Sequence, residues 1–303
     1  MLVLDNLETP WEADPLAIEA RISQLAAIHG LTLLVSFRGD EHVGGARWSP
    51  RHPVAPLSDP DARALFLEIA GAAKSNDPDL PAFLEALGGV PLAICLTARR
   101  AARHPTLAGL WEQWGRLGPE MASLTTGTRH RLSSVTHSIA LSLGSSRMTP
   151  DAHRLFAILG QCPAGLARSD RIALLGDAAF AAEEALRGTG LAHLRPDHRL
   201  DLLPPVRDHA RRSCRPETDI QMRIDAHWAD LVMECGKQVW GSTAAQSANR
   251  IAPEIQNIEN VFRLGGELHR REERQEIAKS MHRVMISTGL GSPSTIPSFR
   301  LSE

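Results

Sequence analysis

Two short runs, Leu2-Val3-Leu4 and Leu31-Thr32-Leu33-Leu34-Val35, constrain this chain more than any other feature. Each is apolar almost throughout instead of alternating, and about 20 residues of helical pattern lie between them. In that stretch Ile18, Ile22, Leu25 and Ile28 recur at helical spacing, Pro10 precedes them and Gly30 closes the helix. Two strands joined through a helix are parallel, because the crossover returns the chain to the edge from which it left. Strands apolar on both alternating faces predict a parallel sheet covered on both sides. The first run ends at Asp5 and the second in Ser36-Phe37-Arg38.

Beyond a Gly-, Pro- and Trp-containing loop at 39–56, where a short strand could fit, the pattern turns helical. Ala, Leu and Arg are abundant, Tyr is absent and aromatics make up 4% of the 303 residues. That composition favours helices and excludes an aromatic-rich β-sandwich or barrel. Helices are expected from Ser58 or Asp59 to Ile69, from Asp77-Pro78 to Leu87, from Leu92 to Arg103 and over 107–117, with Trp111 and Trp114 as core anchors. A polar linker, Thr125–Arg131, precedes further helices at 134–143, 149–160, 168–175 and 178–188. Leu191–Leu194 and Arg199–Leu203 then read as a β-hairpin, and helices followed by a hairpin suggest a winged helix. Helices at 205–213, 219–240, 247–265 and 270–286 follow, with a disordered tail over 287–303. The expected fold is mainly α with a small α/β piece at the start. It divides into an α/β part (1–56), a helical domain (57–124), a winged helix (132–214) and a helical C-terminal hairpin (216–286).

Charge narrows the partners. With 33 Lys+Arg against 35 Asp+Glu the net charge is −2, so no global basic field points to nucleic acid or membrane. No apolar run approaches the length of a membrane span. Cys95, Cys162, Cys214 and Cys235 stand far apart without a CxxC pair, which fits small buried side chains in a reducing cytoplasm. The start, MLVLDNLE, is no signal peptide and reads as a strand already under way, so the expectation is of a domain lacking its beginning.

An apolar strand ending in Asp is how P-loop NTPases place a Mg²⁺-associated carboxylate beside the phosphates. Taken in order, LVLDN (2–6), LLVSFR (33–38) and GGVPLAI (88–94), followed by a winged-helix pattern, resemble the Walker B strand, the sensor strand and the Gly-x-Pro-Leu motif of NB-ARC ATPases, members of the STAND class of signalling switches. The resemblance spans about residues 1–213. It implies ATP or ADP with Mg²⁺ as cofactors, Asp5 as the catalytic carboxylate holding Mg²⁺ through water, and Arg38 as sensor of the terminal phosphate. Asn6, Gly89 and Pro91 would join Asp5 and Arg38 in the nucleotide site, with Pro91 packed on adenine. On local grounds Pro91 is equally a helix-opening proline after a Gly turn.

Departures from the pattern bear on activity. The 303 residues contain no G-x-x-x-x-G-K-[ST]; the one Gly-Lys, Gly236-Lys237, lies in a helical pattern. Without that loop both the backbone cradle and the lysine for the β- and γ-phosphates are missing, so weak or absent nucleotide binding and no independent ATPase are expected. Asn6 stands where many relatives carry an acid and cannot act as a base; Glu8 could substitute but reads as a surface carboxylate. Leu202-Leu203-Pro204 falls where the family has Met-His-Asp, and His209, a turn further on, reads as a packing residue.

Two readings of other classes remain open. Seven arginines against three aspartates between 187 and 215 could form a phosphate-binding face, making a DNA-binding transcriptional regulator. The chain could equally be a helical protein-interaction module. Ala252–Val261 resembles the helix that opens bacterial tetratricopeptide arrays (Glu-x-x-Asn-h-x-x-h), which implies protein partners or self-association. The thirteen His show no metal-ligand spacing, and Gly144-Ser145-Ser146 is not a nucleophile elbow.

Overall fold

β1 (Leu2–Leu4) and β2 (Leu33–Val35) pair in parallel, with Leu2 opposite Leu33, Val3 opposite Leu34 and Leu4 opposite Val35. This computed structural model describes residues 1–41, 43–49, 51–117, 135–238, 244–264 and 271–288. The parallel pairing is as expected; coverage on both sides is not. Leu4 and Val35 pack into a small core of Leu7, Ile22, Val43, Trp11, Phe37 and Trp48. On the opposite face Val3 and Leu34 are 54% and 55% exposed. The crossover helices and the 43–48 loop all contribute to the one core, so a single face is covered.

The crossover itself is two helices, α1 (Glu8–Ala13) and α2 (Pro15–Ala26), where one was expected. Asp14 breaks the run: its backbone is extended and its carboxylate accepts from the Ala17 N–H at 3.0 Å. Pro15 takes the first helical position, where its missing N–H costs nothing. Ile22 is buried but Ile28 lies beyond α2 and is exposed. The loop after β2 forms no strand among its described residues and is held by Glu19, which accepts from the Gly44 N–H at 3.0 Å and the Trp11 indole at 3.1 Å. Those bonds, Gly44's foremost, hold the Glu19 carboxyl below the usual carboxylate range.

The following helices are α3 (Asp59–Ala70), α4 (Leu80–Leu87), α5 (Pro91–Ala101) and α6 (Ala108–Leu117), with a 3₁₀ turn at Ala72–Asn76. Ser58 caps α3 as expected, accepting from the Asp61 N–H and donating to its carboxylate at 2.6 Å. Phe83 is the hub of this core, meeting Phe66, Trp111 and Trp114 edge to face. Lys74 is buried and donates to the carbonyls of His104 and Pro105, closing the chain after α5.

Next come α7 (Val135–Leu143), α8 (Pro150–Gln161), α9 (Arg168–Leu175) and α10 (Ala178–Gly188), then the hairpin of β3 (Ala192–Leu194) and β4 (Leu200–Leu202) and α11 (Pro204–Ser213). The ranges of α9 and α10 coincide with those expected. The chain continues through α12 (Thr218–Lys237), α13 (Ala244–Ile251), a 3₁₀ turn (Ala252–Glu254), α14 (Ile255–Leu264) and α15 (Arg271–Thr288). The helix expected over 247–265 is therefore interrupted, because Pro253 cannot donate the bond that would continue α13. The 125–131 linker and the tail from 289 lie outside the described residues.

These elements form two compact units, one of residues 1–153, 182–193 and 202–209, the other of 154–181, 194–201 and 210–303. In the second unit α12 is the central helix, carrying the fully buried Trp228. Gly236 near its end lets α15 approach, since a Cβ there would stand 2.6 Å from the Ser280 Cβ. All four cysteines are free thiols, and burial pushes those of Cys214 and Cys235 up. Among the described residues no helix is long and apolar enough to cross a membrane.

Candidate functional site

Parallel pairing in register brings the carboxyl ends of β1 and β2 side by side, and Ser36 ties them together. Its hydroxyl donates to Asp5 Oδ1 and accepts from the Asn6 N–H at 2.9 Å, while its carbonyl accepts from the Leu7 N–H at 3.2 Å. Asn6 has φ +58°, a left-handed conformation that Asn tolerates, and its amide donates to Thr9 Oγ1 at 2.7 Å. Asp5 itself is exposed. A single exposed carboxylate beside a hydroxyl suits water-mediated Mg²⁺, which is held by few protein ligands plus phosphate oxygens. Among the described residues no group of three or more His, Cys, Asp or Glu side chains could hold a metal ion.

Arg38 joins this group through Glu8. Its Nε lies 3.1 Å from Glu8 Oε1, and its Nη1 donates to Ser142 Oγ at 3.5 Å. Glu8 is not the surface carboxylate expected: it is 5% exposed, and its Oε2 has no hydrogen-bond partner among the described residues. The reason is its place in the first turn of α1, over the ends of the strands and against Arg38. In this conformation Arg38 is thus neutralised by the chain's own acid.

One turn further along α1, Glu12 engages Arg147 at 2.7 Å and accepts from Ser145 Oγ at 3.0 Å. Arg147 also reaches Glu41 at 3.3 Å and the Gly188 carbonyl, and its guanidinium sits 5.6 Å from the centre of the Phe37 ring. Two acids spaced i, i+4 on α1 therefore each take an arginine from elsewhere in the chain. Glu12 and Arg147 are absent from the residues singled out in the sequence, Glu8 reads there as a surface carboxylate, and Ser36 figures only as part of the LLVSFR run. The i, i+4 spacing of Glu8 and Glu12 was visible there, but nothing local names their partners.

Gly89 and Pro91 are positioned separately, at the junction of α4 and α5. Gly88 closes α4 in the left-handed conformation, and Gly89 follows at φ +66° with its carbonyl accepting from the Leu57 N–H at 2.9 Å. Pro91 opens α5 and is exposed. No described hydrogen bond joins this junction to Asp5 or Arg38. Pro204, at the start of α11, lies against it: a Cβ on Gly88 would stand 2.5 Å from Pro204 Cδ. His209 is buried, as expected of a packing residue.

The arginines around the hairpin are largely engaged. Arg187 pairs with Asp40 and Glu183, and Arg195 with Asp197 and Asp201. Arg199 pairs with Glu254, and Arg207 donates to the Leu202 carbonyl. On α10, the helix before the hairpin, Phe180, Ala181 and Glu184 are exposed. Compared with known protein families, curated proteins and solved structures, the chain matches none.

Proposed function

We propose that this chain is part of a nucleotide-dependent signalling switch of the STAND kind, with Asp5 and Ser36 facing Mg²⁺ and phosphate and Arg38 reading the terminal phosphate. The observation that carries this reading is the registered parallel pair, at whose carboxyl ends Ser36 is tied to Asp5 and Arg38 follows two residues on, the position at which α/β sheets receive ligands. The contact of Pro204 with Gly88 supports it, since it sets the segment after the hairpin against the Gly-x-Pro-Leu-like turn, although Pro204 itself departs from the family's Met-His-Asp. The ion pair of Arg38 with Glu8 belongs to a resting state that a phosphate would have to displace. No cradle of the G-x-x-x-x-G-K-[ST] type lies in these residues, so nucleotide affinity is weak or absent and the chain is not an independent ATPase.

DNA binding is the less favoured alternative. The position that enters the major groove in helix-turn-helix proteins would here present Phe180, Ala181 and Glu184, and four hairpin arginines already have partners. The same exposed Phe180 favours a protein contact over a phosphate contact.

Amide spectra titrated with millimolar ADP or ATP test the reading. With Mg²⁺, shifts are expected at Asp5, Asn6, Ser36 and Arg38, and they disappear in Asp5→Ala or when Mg²⁺ is removed. Shifts indifferent to Asp5 and Mg²⁺, or none at these residues, overturn the assignment of the site.

A further inference from the structure

The Glu-x-x-Asn stretch that sequence alone likens to a repeat-opening helix makes a different set of contacts inside the second unit. Glu254, Asn257 and Asn260 recur at i, i+3, i+6 and all three are buried, at 4%, 0% and 7% exposure. Asn257 Oδ1 accepts from the Ala164 N–H at 2.9 Å, and its amide donates to the Gly165 carbonyl at 2.9 Å and to Glu254 Oε2 at 2.8 Å. Asn260 donates to the Gln161 carbonyl at 2.6 Å. Together they occupy backbone groups at the end of α8 and in the turn before α9, groups that the end of a helix leaves without internal partners.

Arg199, at the end of the hairpin turn, completes the arrangement. Its Nη1 and Nη2 meet Glu254 Oε1 and Oε2 at 2.5 and 2.8 Å, a fork-to-fork pair. Its Nε and Nη2 also donate to the carbonyls of Ala164 and Gly165, each at 2.8 Å. Burial by itself would lower the pKa of this guanidinium, but its hydrogen bonds and charge interaction with Glu254 outweigh that, and the group stays charged. Gly165 is required here: at φ +67° its carbonyl receives both Arg199 and Asn257, and a Cβ would stand 2.7 Å from the Leu200 carbonyl. Leu166 and Leu200 pair directly beside it.

We infer that Glu254, Asn257 and Asn260 form a joint through which the position of α14 is transmitted to the hairpin turn, with Arg199 and the 161–165 turn as its receiving half. A buried bidentate pair tolerates little displacement, because removing one partner leaves the other charged and dry. An apolar seam would slide where this joint must either hold or open. Displacement of α14, by whatever binds the C-terminal helices, therefore releases the hairpin turn. This holds whether or not the first unit binds nucleotide.

Amide hydrogen exchange on the full chain tests it, since coupling between two sites must be reciprocal. Asn257→Ala is expected to speed exchange at 164–166 and 195–201 by tenfold or more, while 152–159 within α8 keeps its protection. Arg199→Lys, which retains the charge but loses the fork, is expected to speed exchange in 255–261 in the same way. Loosening of α14 alone in Asn257→Ala, with 195–201 unchanged, would falsify the joint. So would uniform loss of protection across α8, α12 and the hairpin in both variants, which would make these residues ordinary core.

Discussion

Gly89 shows how much a single residue decides here. It holds φ +66°, and a side chain on it would collide with the carbonyl of Leu57, the residue whose N–H donates to the Gly89 carbonyl. Gly30 has a similar φ of +79° but nothing within 4 Å of its Cβ position. The two therefore separate backbone strain from collision. Gly30→Ala carries the left-handed penalty alone, about 1–2 kcal/mol, whereas Gly89→Ala adds the cost of overpacking for a total of about 2–5 kcal/mol. Urea denaturation measures both; equal losses would mean that the 56–57 segment gives way freely, and the turn would then not fix the start of α5. At this scale, sequence was informative where chemistry is local. Asp5 and Arg38 were legible as the polar ends of two apolar runs, whereas Ser36, which ties those ends together, figures there only as part of a motif. The pairs Arg38–Glu8 and Arg199–Glu254 were not, because their partners come from distant segments, the latter 55 residues apart, and no local pattern encodes that register.

Among the elements, helices bounded by strong stop signals were legible to the residue. α9 and α10 lie between Gly165, Gly176 and Gly190, all at positive φ. The breaks at Asp14-Pro15 and Ala252-Pro253 were missed for one shared reason. Apolar periodicity continues across both, and periodicity outweighed the Pro signal. At Asp14-Pro15 two devices coincide: a following proline disfavours a helical Asp14, which has φ −154° and ψ 86°, and the Asp14 carboxylate satisfies the Ala17 N–H. Asp14→Ala should therefore cost about 0.5–2 kcal/mol. Pro15→Ala, with the cap intact, should leave the helix boundary where it is and change stability by well under that amount. Thermal unfolding of the two variants decides the point; the reverse order would place the break in the proline ring.

For the whole molecule, the determining features are a near-neutral surface charge and an apolar sheet face that no described element covers. The isoelectric point is about 6.7 and the net charge −2 at pH 7, so electrostatic repulsion between copies is at its weakest near neutrality. Val3 and Leu34, side by side across the pair and each more than half exposed, are then free to meet apolar surface on another molecule. Below the isoelectric point the chain turns positive, while raising pH deepens the negative charge. Self-association measured by light scattering should consequently peak near pH 6.7 and fall on both sides. Replacing both side chains with Thr keeps β-propensity while removing apolar area, so Val3→Thr/Leu34→Thr should flatten that peak with little loss of secondary structure. A peak that persists in the double variant would move the sticky surface elsewhere, to the exposed Phe180 and Ile172 of the second unit, where Phe180→Ser would then be the variant that abolishes it.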